Sequence, residues 1–426
     1  MEKKPVYLIF VDADNHGVDS NKYYSLVPNG DTFTAKYGRV GATPQTKIYP
    51  MSKWDSTIKS KLKKGYQDRT DLMTDVIEDS KVDAPDEDAQ FAAVKKTSIR
   101  DILKRLWDFA NKAIQSSYTI KAEVVTQAMV DAAQKQIDHM ADAIKDSTMT
   151  VEEFNQELNK LFVIIPRKMA RVSDHLVRDV SEFEKKLASE QSILDTMAGQ
   201  VYKPQKKDIE IKTEDEITED KPVISILDTM GIEMEDATEE DVAKIKKAMG
   251  DSANKFYRAW RVSNKETEEA YKKFTSENNI GNVKLLCHGS RNQNWFNILK
   301  MGLKIRPAGA IVTGSMFGSQ ALYFSNPDKY HGGVAKSIGY TSLGGYWTRD
   351  YQNCGFLAFY DVALGESYDV YSFDSKYYTM DIKKLHQINP NAWHLWAHGN
   401  TNMLRNDEIV VYTTEQMTVR YLVEIR

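Results

Sequence analysis

The sequence is short of the features that mark a secreted or membrane-spanning protein. It holds two cysteines in 426 residues, Cys287 and Cys354, which rules out a disulfide framework or a cysteine-based zinc module. It has no run of about 18 apolar residues to span a bilayer. The opening Met-Glu-Lys-Lys-Pro and the short run Val6 to Val11 lack the long apolar core of a secretory signal. The reading is an intracellular protein with no membrane partner, nuclear in a eukaryote and cytoplasmic in a bacterium or phage. Walker-type and Rossmann glycine motifs are missing, as are internal repeats. A net charge of −4 identifies no partner. Its distribution is more telling: residues 1–72 hold 12 Lys and Arg against 8 Asp and Glu, a surplus of four, so the remainder carries −8.

What is present divides the chain into segments. Residues 1–73 alternate short apolar runs with turn clusters, a β-meander in which Asn29-Gly30 signals a tight hairpin, followed by a basic amphipathic helix from Trp54 to Lys64 covering one face. Residues 74–95 are acidic and aperiodic, a linker. Residues 96–204 are helical. Ile99, Ile102, Leu106 and Ala110 mark one face, and Met129, Ala133, Ile137 and Met140 mark another. Thr150-Val-Glu-Glu153 forms a capping box, and Ser173-Asp174 opens a fourth helix. Residues 205–221 form a second polar linker. Residues 222–426 alternate helices and short strands, one mixed α/β unit, so the fold class is α+β and multidomain.

Residues with chemical potential crowd between Leu285 and Tyr340. A strand from Val283 to Cys287 delivers His288 and the small pair Gly289-Ser290 to an edge, where a ligand can approach the backbone because glycine has no side chain. Such an edge suits a flat, amide-bearing ligand. On packing grounds alone, His288 reads as a core histidine, Tyr323 and Tyr340 as core aromatics, and Glu408 as an exposed strand residue. His394 and His398 share a face if helical, but no third ligand is fixed and no metal is expected.

Taken in order, His288-Gly-Ser-Arg291, Gly302-Leu303, Gly314-Ser-Met-Phe-Gly318, Leu322-Tyr-Phe324, Lys336-Ser337 with Tyr340, and Asn406-Asp-Glu-Ile-Val-Val-Tyr412 resemble the catalytic domain of the poly(ADP-ribose) polymerase family. These are diphtheria-toxin-like ADP-ribosyltransferases with a His-Tyr-Glu triad. Upstream, Asn21-Lys-Tyr-Tyr24, Lys36-Tyr-Gly-Arg-Val-Gly41 and Lys63-Lys-Gly-Tyr66 resemble the DNA-binding WGR domain, with Tyr37 where Trp is usual. The helical segment between them is similar to the family's regulatory domain.

The resemblance implies NAD⁺ as co-substrate and His288, Tyr323 and Glu408 as catalytic residues. It implies that Gly289 and Ser337 hold the nicotinamide amide, that Tyr323 and Tyr340 sandwich the nicotinamide ring, and that His288 and Ser290 contact the adenosine ribose. Lys304 and Lys336 line the NAD⁺ and acceptor pocket, Met316 faces the acceptor, and Tyr37 and Arg39 contact DNA. The implied function is a DNA-dependent poly(ADP-ribose) polymerase that modifies protein acceptors or itself, restrained by its helical domain until it meets a break. The alternatives are a mono-ADP-ribosyltransferase on a protein or nucleic-acid target, or an inactive DNA-end-binding scaffold. The chain departs from the pattern in the loop Gly318-Ser-Gln-Ala-Leu322, in the short segment Arg306 to Gly314, and in segments 341–353 and 377–402. Asp407, beside Glu408, would exchange faces with it on a one-residue slip.

Overall fold

The computed structural model describes residues 3–12, 20–40, 42–72, 87–117, 126–145, 149–165, 169, 171–200, 223–305, 316–318, 320–327, 333–346, 348 and 350–426. The chain forms two compact units, one taking 1–84 and 111–203, the other 85–110, 204–308 and 312–426.

In the first unit, strands β1 (Val6–Asp12), β2 (Ser20–Asn29), β3 (Thr32–Arg39), β4 (Gln45–Pro50) and β5 (Gln67–Asp68) form an antiparallel sheet in the order β4-β3-β2-β1-β5. The expected hairpin joins β2 to β3, with Gly30 at φ 57°. Period-two alternation gives the sheet two apolar faces. One face packs Leu8, Tyr24, Leu26, Phe33 and Ala35 against Trp54 of helix α1 (Trp54–Lys63). The other packs Ile9 and Val40, with Tyr7, Val11 and Tyr23, against Val163.

The helices that follow are α2 (Glu87–Ala92), α3 (Thr97–Ser117), α4 (Gln127–Lys145), α5 (Val151–Ile164) and α6 (Phe183–Gln200). Val163 belongs to α5, whose first turn closes the expected capping box: Thr150 Oγ1 accepts from Glu153 N, and the Glu153 carboxylate accepts from Thr150 N. Ser173-Asp174 does not open a long helix. These residues make one 3₁₀ turn, Val172–His175. Beyond it the Asn155 amide takes both backbone groups of Val177, each at 2.9 Å, which satisfies them outside a helix and delays the next helix to Phe183.

The acidic linker requires a correction. Its end is helical as α2, because Phe91, just before Val94, lies buried against Trp107. Residues 74–86 of that linker, the linker at 205–221 and the segment Arg306 to Gly314 lie outside the described residues.

The second unit adds α7 (Ile226–Met230), β6 (Ile232–Asp236), α8 (Glu239–Met249), β7 (Phe256–Asn264), α9 (Lys265–Glu277), β8 (Val283–Ser290), α10 (Trp295–Met301), β9 (Leu322–Phe324), α11 (Ala335–Gly339), β10 (Gly355–Ala363), β11 (Glu366–Val370), α12 (Ile382–Ile388), β12 (Ala392–Ala397), β13 (Glu408–Val411) and β14 (Met417–Ile425). One sheet runs β6-β7-β14-β10-β8 and the other β11-β12-β13-β9, with β11 and β12 parallel. His394 lies in β12 and donates its Nδ1–H to Leu364 O at 2.7 Å, while His398 pairs with Asp369 at 2.6 Å. The helical spacing of these two histidines therefore does not arise.

Residues 85–110 belong to this unit rather than to a separate helical domain. Ile99, Ile102, Leu103, Leu106, Trp107 and Ala110 of α3 join Trp260, Phe296, Phe356 and Leu422 in one core. Arg105 fastens the helix there. Its guanidinium forks onto the buried Glu424 carboxylate at 2.8 and 3.1 Å and lies over the Phe356 ring. Arg426 binds the same carboxylate at 2.8 Å.

Burial pushes the Glu424 carboxyl up, but the hydrogen bonds from Arg105 and Arg426 outweigh it and hold the group below its ordinary range. A carboxyl depressed in the folded state contributes stability above its unfolded pKa of about 4.3, and loses that contribution as pH falls through the folded value. Arg105→Ala is therefore expected to cost about 2 kcal/mol near neutral pH, since Arg426 remains. That deficit should shrink below about pH 4. Urea unfolding at two pH values checks this, and equal midpoints for variant and parent at neutral pH would remove the anchoring role.

Candidate active site

The two sheets of the second unit meet edge to edge. β8 is an outer strand of one and β9 of the other, and they touch through Cys287 and Ser325: Cys287 N donates to Ser325 O at 3.3 Å, and Ser325 N donates to Cys287 O at 2.9 Å. The short helix α11 closes over this seam. Ser337 N donates to Ser325 Oγ at 3.0 Å, while Ser337 Oγ donates to Cys287 O at 2.9 Å and lies 2.7 Å from Ser325 Oγ. Ser337 is buried and its hydroxyl is already engaged.

β8 does not end at Cys287. It runs on to Ser290, pairing His288, Gly289 and Ser290 with Ala358, Leu357 and Phe356 of β10. In-strand alternation sends Gly289 to the side of α11 and His288 to the other. A Cβ on Gly289 would overlap the Ser337 backbone carbonyl, so the glycine is what lets α11 lie on the strand.

His288 Nδ1 lies 3.0 Å from Tyr323 O. A carbonyl only accepts, so Nδ1 carries the proton and Nε2 is left as an acceptor. Burial lowers the imidazole pKa and favours this neutral form. Ser290 Oγ accepts from Asn294 Nδ2 at 2.9 Å.

Tyr323 pairs with Val410 across β9 and β13, and Glu408, two residues before Val410 in the same strand, pairs on its other side with Ala397 of β12. Glu408, Val410 and Tyr323 therefore share a sheet face. Glu408 is buried and forms an ion pair with Lys336 of α11. Burial pushes the Lys336 ammonium down to about 8. The carboxylate in direct contact pulls the other way. Asp407 faces elsewhere: its carboxylate accepts from Trp396 Nε1 at 2.5 Å and from Gly399 N at 2.7 Å.

The Tyr323 hydroxyl accepts from Phe317 N at 3.0 Å and donates to Gly318 O at 2.7 Å, and burial raises its pKa. Burial raises the half-buried Tyr340 phenol as well. Met316 packs partly buried beside Phe317.

The structure thus links His288 to Tyr323, Gly289 to Ser337, and Lys336 to Glu408 around one seam. Lys304 is exposed beyond α10. Sequence reasoning missed Ser325, which follows the Leu322-Tyr-Phe324 motif and holds Ser337, and it gave Tyr412 no role although the hydroxyl donates to Phe317 O at 2.9 Å. No group of three or more His, Cys, Asp or Glu among the described residues could hold a metal ion.

In the first unit, Tyr37 is half-buried and stacks on Tyr24 at 5.1 Å and 15°. Lys61 Nζ lies 4.0 Å above the Tyr24 ring. A cavity of about 360 Å³ opens here, lined by Tyr24, Tyr37, Tyr49, Ser56, Thr57, Ser60 and Lys61. Arg39 is exposed at the end of β3.

Comparison with known proteins finds a match in each unit. Residues 237–426 match the poly(ADP-ribose) polymerase catalytic domain, and residues 4–72 match the WGR domain. The chain is 29% identical over 175 residues to the putative poly [ADP-ribose] polymerase-like 100L of Invertebrate iridescent virus 6, covering 40% of this chain and 87% of that protein. It is 25% identical over 352 residues to poly [ADP-ribose] polymerase 1 of Danio rerio, covering 75% of this chain and 30% of the relative. With human poly [ADP-ribose] polymerase 2 it shares 28% over 183 residues, 38% of this chain and 29% of the relative. The chain spans under a third of both vertebrate enzymes.

Gly289→Ala tests the contact of β8 with α11. The added methyl must displace a helix backbone, so the variant is expected to lose about 1–3 kcal/mol of stability. A displacement of Ser337 and Lys336 by about 1 Å should lower NAD⁺ turnover about 100-fold. Thermal melting and nicotinamide release measure the two effects. Parent-like turnover would show that the close approach is dispensable.

Proposed function

We propose, from the premise that the chain belongs to the poly(ADP-ribose) polymerase family and is an NAD⁺ ADP-ribosyltransferase, that it is a DNA-dependent polymerase that adds successive ADP-ribose units to protein acceptors or to itself. The observation that carries the reading is Glu408 on one sheet face with Tyr323, held by Lys336 at the β8–β9 seam.

Transfer breaks the bond between nicotinamide nitrogen and ribose C1′. The electron pair leaves with nicotinamide, which becomes neutral, and C1′ acquires oxocarbenium character. A carboxylate fixed beside that carbon stabilises the positive charge without reorganising at the moment of reaction. An acceptor hydroxyl then forms the C1′–O bond and gives up its proton, drawn toward the same carboxylate. Rings such as Tyr323 and Tyr340 suit the flat nicotinamide, and the neutral His288 and the Ser290 hydroxyl suit ribose hydroxyls. Elongation needs a carboxylate to engage a ribose hydroxyl, and the retention of Glu408 supports a polymeric product.

DNA dependence rests on the WGR domain. Tyr37 and Tyr24 offer stacked rings at a hydroxyl-lined cavity that Lys61 also lines and that holds no carboxylate among its lining residues, and Arg39 offers an exposed cation at the end of the same strand as Tyr37. That chemistry suits a phosphodiester and an unpaired base. Restraint by the helical segment follows the same reading, since α5 packs on the back of the WGR sheet and would feel DNA docking through Val163.

Incubation of the full chain with labelled NAD⁺, with and without nicked DNA, should give DNA-stimulated ladders on a gel. Single units would favour mono-ADP-ribosylation, and no release of nicotinamide would favour an inactive DNA-binding scaffold. Glu408→Gln is expected to abolish elongation while leaving residual NAD⁺ cleavage. Arg39→Ala should weaken DNA binding and DNA stimulation together, and persistence of both would assign the first module another task.

A further inference from the structure

Two phenols hold the short loop that precedes β9. Phe317 N donates to the Tyr323 hydroxyl at 3.0 Å, that hydroxyl donates to Gly318 O at 2.7 Å, and the Tyr412 hydroxyl donates to Phe317 O at 2.9 Å. The Phe317 ring is buried, and Gly318 adopts φ +107° with its Cα turned against the Met380 carbonyl, leaving no room for a Cβ. Three backbone groups on two adjacent residues are thus bound by side chains from two neighbouring elements. Tyr323 lies in β9, and Tyr412 directly follows β13, four residues after Glu408.

This arrangement is more than loop packing. Tyr323 offers a ring toward the same sheet face as Glu408, and its hydroxyl serves the loop that carries Met316. Tyr412 is buried and completes the hold from the strand that carries Glu408. The loop therefore keeps a set position relative to the carboxylate, because one tether lies on β9 and the other directly follows its paired strand β13. Burial raises both phenols above their ordinary pKa, so both keep the donating proton at neutral pH.

We propose that Tyr412 is a positioning residue for the acceptor: through Phe317 it sets the Met316–Gly318 loop so that an acceptor hydroxyl, rather than water, captures the ADP-ribosyl group. The proposal rests on the transferase reading and on Met316 facing the acceptor. Both fates break the nicotinamide–C1′ bond and form a C1′–O bond. They differ only in whether the proton lost comes from the acceptor hydroxyl or from water. A loosened loop should leave bond breaking intact and change the partition.

Tyr412→Phe in the full chain, assayed with NAD⁺ and nicked DNA, reads this directly. Nicotinamide release and the KM for NAD⁺ should stay within about twofold of the parent, while the ratio of covalently attached to free ADP-ribose falls at least about fivefold, well inside the roughly 100-fold that a misplaced group can cost. Gly318→Ala, which forces the loop off the Met380 carbonyl, should shift the ratio the same way and decides the matter if Tyr412→Phe does not fold. An unchanged ratio, or release and attachment falling in parallel, overturns the positioning role alone. A parent that releases no nicotinamide overturns the transferase reading and this inference with it.

Discussion

The contact between two sheet edges at Cys287 and Ser325 is the constraint on which the second unit depends. Neither β8 nor β9 could leave its edge open beside the other without unpaired amides, so the two strands share one bridge, and Ser337 caps it from above. His288, Gly289, Tyr323, Lys336 and Ser337 are placed by that seam or by an element running into it. β8 carries His288 through it, β9 carries Tyr323 past it, and α11 brings Lys336 down beside Ser337. The ion pair between Lys336 and Glu408 follows from that placement.

The seam also explains why small residues sit where they do. Gly289 permits α11 to touch β8, and the Ser325 and Ser337 hydroxyls share one hydrogen bond in a space that larger side chains would fill. Polar groups buried this fully need complete partnering, which makes the cluster rigid. A transferase that must place one charge beside a developing cation gains from such rigidity, because electrostatic stabilisation depends on dipoles already in place. The tyrosine hydroxyls at Phe317 and Gly318 extend the same economy outward to the neighbouring loop.

Much of the architecture was legible in residue order. The β2–β3 hairpin, helix α1, the Thr150 capping box and most strands of the second unit follow from turn chemistry and periodicity, which are local properties. The misses were non-local. α2 forms at the end of an acidic, aperiodic stretch because Phe91 finds Trp107. The helix expected at Ser173 waits until Phe183 because Asn155 binds Val177. α3 reads as one amphipathic helix of a bundle, yet its first half is claimed by the other unit through Arg105 and Glu424, which lie 319 positions apart.

By itself, the sequence determined which residues are available and in what order: the motifs from His288 to Tyr412, the basic aromatic module at the start, and the alternation that makes each strand two-faced. The tertiary structure alone decided which of them meet. Glu408 and Asp407 are neighbours of similar chemistry, and only the pairing of β13 with β9 turns the first toward Lys336 while Trp396 and Gly399 take the second. Lys336 reads from the sequence only as a pocket cation, and the packing of α11 on Gly289 brings it to the carboxylate. The physical reason is that a side chain's chemistry is local, whereas its partner, its burial and hence its charge state are set by strands brought together from distant parts of the chain.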